Sequence, residues 1–198
     1  MTVTQTRVNA IIPKDRIGVL VGPKGAVKTR IQEKLFVELT VDSESGNVDI
    51  ALRPDAPDPS NALRAKDIVQ AIGRGFSPDR AFNLLIEDFT LGIIDLHEFF
   101  GKNEAEIRRV DGRIIGREGK TRRIIEQLTG AQLSVSGHTV SMIGTYDAVS
   151  IAKDALEKLI SGRQHGTVYK FLRKKRSQTK KEKALGLWEG SQPSPRKA

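Results

Sequence analysis

The chain has 198 residues, 38% hydrophobic and 29% charged, enough for one sizeable core or two small ones and too apolar for wholesale disorder. With no cysteine and only three histidines (His97, His138 and His165), none close to another in sequence, it offers no disulfide framework, no thiolate chemistry and no histidine-rich catalytic metal centre. All of the net charge of +9 falls after Ser161: residues 162–198 carry eleven Lys/Arg against Glu182 and Glu189, while residues 1–161 carry 22 of each sign.

A neutral body with a basic end suggests a polyanionic partner, most often nucleic acid. The N-terminus lacks the apolar core of a secretory signal, and apolar runs such as Ile17 to Val21 fall far short of a membrane span of about 20 residues. A cytoplasmic protein without membrane association is therefore expected.

The elements repeat. The segment from Arg16 aligns with the segment from Asp111 at an offset of about 94 residues. Leu20-Val21-Gly22 matches Ile114-Ile115-Gly116, Gly25 matches Gly119, and Ile31 matches Ile125. In chain order, Val8, Ala10 and Ile12 alternate as in a strand, followed by a short helix, Gly-x-x-Gly, and a helix with Val27, Ile31 and Leu35 on one face. Strands are predicted at Val37 to Val41 and Val48 to Leu52 across a Ser45-Gly46-Asn47 turn, then a helix from Asn61 to Ile72. The second copy gives a strand around Ile107 and Val110, a short helix, and a helix with Ile124, Ile125 and Leu128. Strands at Gln132 to Val135 and Thr139 to Ile143 join at Gly137-His138, and a helix runs from Ala148 to Ile160.

Between the copies, residues 76–103 read as an apolar, acidic helical insert of net charge −3 that packs the units together. Ser77-Pro78 marks a helix start there. This divides the chain into residues 1–75, the insert 76–103, residues 104–161 and a basic C-terminal segment 162–198. Residues 103–185 are expected to fold alone. In the last segment Val168, Phe171 and Leu172 anchor a helix whose Arg173, Lys174, Lys175 and Arg176 face outward. Gly190–Ala198 reads as disordered, and Leu187 with Trp188 as a frayed helix end.

The Gly-x-x-Gly turn has a physical use. Glycine lets backbone approach a phosphate closely, and the amides of the turn with the N-terminus of the next helix favour an anion. The candidate anion-binding residues are Gly22, Pro23, Lys24, Gly25 and Lys28 in the first copy, and Gly116, Arg117, Glu118, Gly119, Lys120, Arg122 and Arg123 in the second. Pro23 removes one amide from the first cradle.

The order strand–helix–helix–strand–strand–helix, with Ile114-Ile115-Gly116-Arg117-Glu118-Gly119-Lys120 running on through Ile125 to Thr129-Gly130-Ala131, resembles the type I KH (K-homology) RNA-binding domain. Two such units, with the tail His165-Gly166-Thr167-Val168-Tyr169-Lys170-Phe171-Leu172, resemble the archaeal Dim2/Pno1 family. The resemblance implies an α+β fold of two packed KH domains that binds single-stranded RNA, at the 3′ end of small-subunit rRNA, in ribosome biogenesis. It implies that residues Gly116 to Gly119 hold the RNA backbone, that Ile114 and Arg122 line a groove, and that Gln132, Leu133 and Ser134 read base edges. It implies as partners a Nob1-type endonuclease and the alpha subunit of translation initiation factor 2. The first unit is read as auxiliary or protein-facing.

The alternatives are a protein-docking assembly factor with little RNA affinity of its own and a nucleotide hydrolase. Gly119-Lys120-Thr121 resembles the end of a P-loop, but the required glycine five positions before Gly119 is Ile114. No carboxylates have metal-site spacing; Asp111 reads as a helix cap and the histidines as structural. Neither enzymatic activity, metal nor cofactor is expected.

Overall fold

The computed structural model describes residues 6–189; the tail from Gly190 and the side chains of Leu187 and Trp188 lie outside what it describes. In the first unit β1 (Arg7–Ile11) leads into α1 (Lys14–Val21) and α2 (Ala26–Leu35), then β2 (Val37–Val41), β3 (Asn47–Leu52) and α3 (Asn61–Gly73). The antiparallel sheet has the order β1-β3-β2. A short linking helix, α4 (Pro78–Ala81), begins with Pro78 just inside its first turn, and a single 3-10 turn, Phe82–Leu85, follows it.

The second unit repeats this order, but its first strand is not where the sequence pattern places it. Ile107 and Val110 lie in a helix, α6 (Glu104–Ile115), where with Ile114 they form a buried stripe at helical spacing. The strand is β4 (Phe89–Asp95), inside the segment read as a helical insert. It pairs antiparallel with β6 (Thr139–Thr145), from Phe89 opposite Thr145 to Asp95 opposite Thr139. A one-turn helix, α5 (His97–Phe100), separates β4 from α6. Then come α7 (Lys120–Thr129), β5 (Gln132–Ser136), β6, α8 (Tyr146–Ile160) and α9 (His165–Glu189), and the sheet order is β4-β6-β5. Asp111 caps nothing: it sits in the middle of α6, and the cap is Asn103, whose side chain accepts from the Glu106 amide.

Each sheet buries one face under its helices. The other face of the second sheet is also covered, because Ile143, Phe89 and Leu91 pack into the core that holds Ile68, Ile72, Phe76, Phe82 and Leu84. The helical part of the linking segment thus joins the two units, as expected, although its second half is a strand. Arg16 of α1 holds the exit from α3 into this segment: its guanidinium donates to the carbonyls of Ile72 (2.9 Å) and Phe76 (2.7 Å). The second core includes Val168 and Leu172 of α9, both fully buried. Among the described residues no helix is long and apolar enough to cross a membrane.

Candidate nucleic-acid interface

The two Gly-x-x-Gly loops have the same backbone. Gly22 and Gly116 have φ/ψ of 73/175° and 71/173°; Lys24 and Glu118 have 52/27° and 52/29°; Gly25 and Gly119 have 80/7° and 74/16°. The first glycine is required twice over. Its conformation is one that L side chains avoid, and a Cβ on Gly116 would lie 2.3 Å from Thr121 Oγ1, as one on Gly22 would lie 2.5 Å from Val27 Cγ2. The Gly119 amide donates to the Gly116 carbonyl (3.1 Å) and the Gly116 amide to Gly112 (2.8 Å), so these N–H groups are spent internally. The amides of Arg117 and Glu118 have no backbone acceptor among the described residues; in the first loop Pro23 has no N–H to offer.

Around the second loop Arg117, Glu118, Lys120 and Arg123 are exposed and Arg122 is half-buried. Around the first loop Pro23 and Lys24 are exposed, and Lys28, which matches Arg122, is half-buried. The second loop therefore sets four cations against one carboxylate at the start of α7, and the first sets two cations at the start of α2.

Three expected groove residues are placed differently. Ile114 is fully buried in the second core, because the apolar stripe of α6 points it inward; the apolar side chain exposed beside the loop is Ile115. Leu133 is fully buried too, and its amide donates to Glu126 Oε1 (2.8 Å). Ser134 is nearly buried and its hydroxyl donates to the Arg74 carbonyl (2.9 Å). Gln132 is half-buried, with an Oε1 that has no partner.

Leu133 belongs to the second core, as Ile114 does, while Ser134 is covered by the junction between the units. Gly75, at φ 94°, passes so close to the edge strand β5 that a Cβ there would lie 2.8 Å from Ser134 Oγ. A cleft of about 250 Å³ remains between α7, β5 and this turn, lined by Gly75, Phe76, Ser77, Arg80, Arg122 and Leu133, with Ser134 at its edge. Glu126 lies beside two guanidiniums there, Arg80 Nη1 and Arg122 Nε, each at 3.4 Å. Gln32 holds the Leu39 amide in the first unit as Glu126 holds that of Leu133, at 3.0 Å. The match of Gln32 with Glu126 at the repeat offset was available in the sequence; the arrival of Arg80, 46 residues from Glu126, was not.

The C-terminal helix braces the loop from behind. Tyr169 OH hydrogen-bonds Thr121 Oγ1 (3.1 Å), His165 Nε2–H donates to the Arg113 carbonyl (2.9 Å), and Arg113 Nη2 donates to the Arg163 carbonyl (2.8 Å). Arg173, Lys174 and Arg176 are exposed. Lys175 departs from the expected outward face: it continues the inner stripe of Val168 and Leu172, and its ammonium lies 6.0 Å from the Phe171 ring centroid.

Comparison with known proteins gives the family. The family model of the eukaryotic-type KH domain (KH-domain type I) matches residues 90–177, which takes in β4 from its second residue, Thr90. The chain is 45% identical over 177 residues to a KH domain-containing protein of Methanocaldococcus jannaschii, covering 89% of this chain and 77% of that one. It is 29% identical over 142 residues to the pre-rRNA-processing protein pno1 of Schizosaccharomyces pombe, covering 71% of this chain and 59% of that one. The Dim2p chain of a Pyrococcus horikoshii complex with the alpha subunit of initiation factor 2 and rRNA superposes with a TM-score of 0.85 at 45% identity, covering 89% of this chain and 97% of that one. Two duplicated units with matched Gly-x-x-Gly loops, and relatives of this closeness over most of its length, place the chain in the Dim2/Pno1 family of KH-domain proteins.

Proposed function

We propose that this protein binds single-stranded RNA, at the 3′ end of small-subunit rRNA, and acts as a ribosome biogenesis factor. The observation that carries the reading is the second loop: two amides without a backbone acceptor and four cations at the start of a helix, braced by α9, beside a cleft of about 250 Å³. The rRNA in the complex of the Pyrococcus relative supports the choice of RNA. The same complex supports the alpha subunit of initiation factor 2 as a partner, and the family resemblance supports a Nob1-type endonuclease. A cytoplasmic site of action is in keeping with work on rRNA, and among the described residues no helix is long and apolar enough to cross a membrane. The first unit, with a proline in its loop and an open sheet face lined by Asn9, Glu38, Thr40 and Asp49, suits a protein partner.

The geometry favours binding over nucleotide hydrolysis. Thr121, whose hydroxyl a P-loop would give to magnesium, is 4% exposed and engaged with Tyr169. Within the cleft, Arg122 and Arg80 are the residues that meet RNA, and Glu126 orients them.

The test is fluorescence anisotropy with a short single-stranded RNA ending in the small-subunit rRNA 3′ sequence. Replacing both Arg117 and Glu118 with aspartate sets like charge against the phosphates and should weaken binding at least about tenfold while circular dichroism stays unchanged. Arg80→Ala should lower the slope of log K against log salt by about 0.7, the value for one phosphate contact on a single strand. Full affinity in the aspartate variant would remove the second loop as the RNA site and leave the protein-docking reading.

A further inference from the structure

One cluster at the far end of β6 plays no part in RNA binding. Because Asp95 pairs with Thr139, His97 just after β4 and His138 just before β6 arrive at the same place. His97 Nδ1 lies 3.7 Å from Asp95 Oδ1, and His138 Nε2 lies 3.9 Å from Asp95 Oδ2. The imidazole rings are 4.0 Å apart and 16° from parallel. One ligand atom from each residue can be chosen so that all three lie within 4.8 Å of one another. The backbone beneath is fixed: the His97 amide donates to Asp95 Oδ1 (2.8 Å), and the amide of fully buried Leu96 donates to the His138 carbonyl (2.8 Å). The side chains are 35% to 40% exposed, so an ion in solution can reach them.

We propose that Asp95, His97 and His138 bind one divalent first-row transition-metal ion of the zinc class, which ties the turn after β4 to the turn between β5 and β6. Two neutral imidazoles and a carboxylate are the donors such ions prefer, whereas magnesium and calcium take oxygen. Around a tetrahedral ion with bonds of about 2.0–2.1 Å, neighbouring donors stand about 3.4 Å apart. The three donor atoms lie within 4.8 Å of one another, so each separation needs to close by at most about 1.4 Å, which side-chain rotation supplies. A ring nitrogen binds in the plane of its ring, so the near-parallel imidazoles must turn about their Cβ–Cγ bonds; their exposure leaves room. Water completes the coordination. The third histidine, His165, is already committed to the Arg113 carbonyl and serves as an internal control.

The experiment is calorimetric titration of the full chain with zinc chloride, with magnesium chloride as the comparison. One zinc ion per chain is expected, bound at least about tenfold more weakly by His97→Gln and by His138→Gln, with no magnesium binding at the same concentrations. In a second measurement on the unaltered protein, cobalt(II) should broaden the ring signals of His97 and His138 in the NMR spectrum and leave those of His165 sharp. No saturable zinc binding, unchanged affinity in either variant, or broadening centred on His165 would each overturn the assignment. None of these outcomes bears on RNA affinity, so the two proposals fail separately.

Discussion

The two glycines of the second loop should differ sharply in what a methyl group costs. Gly119, at φ 74° and ψ 16°, lies near the left-handed helical region, and a Cβ there meets only the end of the Arg123 side chain at 3.9 Å. Gly119→Ala should cost about 1 kcal/mol, the lower end of the backbone penalty. Gly116, at φ 71° and ψ 173°, lies in a region open essentially to glycine alone, where the penalty is at the upper end, about 3 kcal/mol. Its Cβ would also lie 2.3 Å from Thr121 Oγ1 and 2.9 Å from the Thr121 amide nitrogen, and overpacking of this kind costs about 1–3 kcal/mol more. Relief by moving Thr121 is resisted by its hydrogen bond to Tyr169. Gly116→Ala should therefore cost about 4–6 kcal/mol. Urea denaturation followed by circular dichroism measures both variants, provided the slope against denaturant is unchanged. Equal losses in the two would refute the argument, because they would mean that Thr121 does not hold the loop against Gly116.

Other consequences can be measured directly. A fragment of residues 103–185 lacks β4, whose seven residues all pair with β6, so it should be unfolded by circular dichroism, whereas residues 87–185 should fold; a folded shorter fragment would deny β4 its role. Truncation after Ser161 would strip buried Val168 and Leu172 from the second core, so the basic helix is better tested by Arg173, Lys174 and Arg176→Ala, which should flatten the salt dependence of RNA binding by about 2 units of slope. An unchanged slope would leave those side chains a solvated surface. Asp111 is pushed up to about 6 by burial and then by the Glu104 carboxylate, and its Oδ1 has no partner. The folded chain thus holds this proton more tightly than the unfolded one, and stability falls as pH rises from about 4 to 6. A shift of about 2 units is worth about 3 kcal/mol for a fully desolvated group, and nearer 1 kcal/mol for this partly solvated one. Asp111→Asn should melt higher than the unaltered protein at pH 7 and show no gain near pH 4; a gain independent of pH would point elsewhere.

The duplication is local information, and it is why so much could be read early. Glycine spacing, the apolar stripe of each helix and the turn residues act over a few positions, and the matched dihedrals of the two loops follow from them. The missing strand was a different problem. Phe89 to Asp95 is a short apolar run, and such a run becomes a helix or a strand according to what it packs against. Here the deciding partner, β6, lies some 50 residues away, and the two apolar positions Ile107 and Val110 do not by themselves distinguish a strand from a helix. The site divides in the same way. The charged loop residues were legible because exposure follows from polarity beside a turn. Ile114 and Leu133 turn into the core of their own unit, whereas the covering of Ser134 and the arrival of Arg80 beside Glu126 depend on how one unit seats against the other. His97 and His138, 41 residues apart, become neighbours only because antiparallel pairing brings the end of β4 to the start of β6. Those distances are set by tertiary packing, which sums many weak contacts over remote segments and leaves no spacing in the chain to be read.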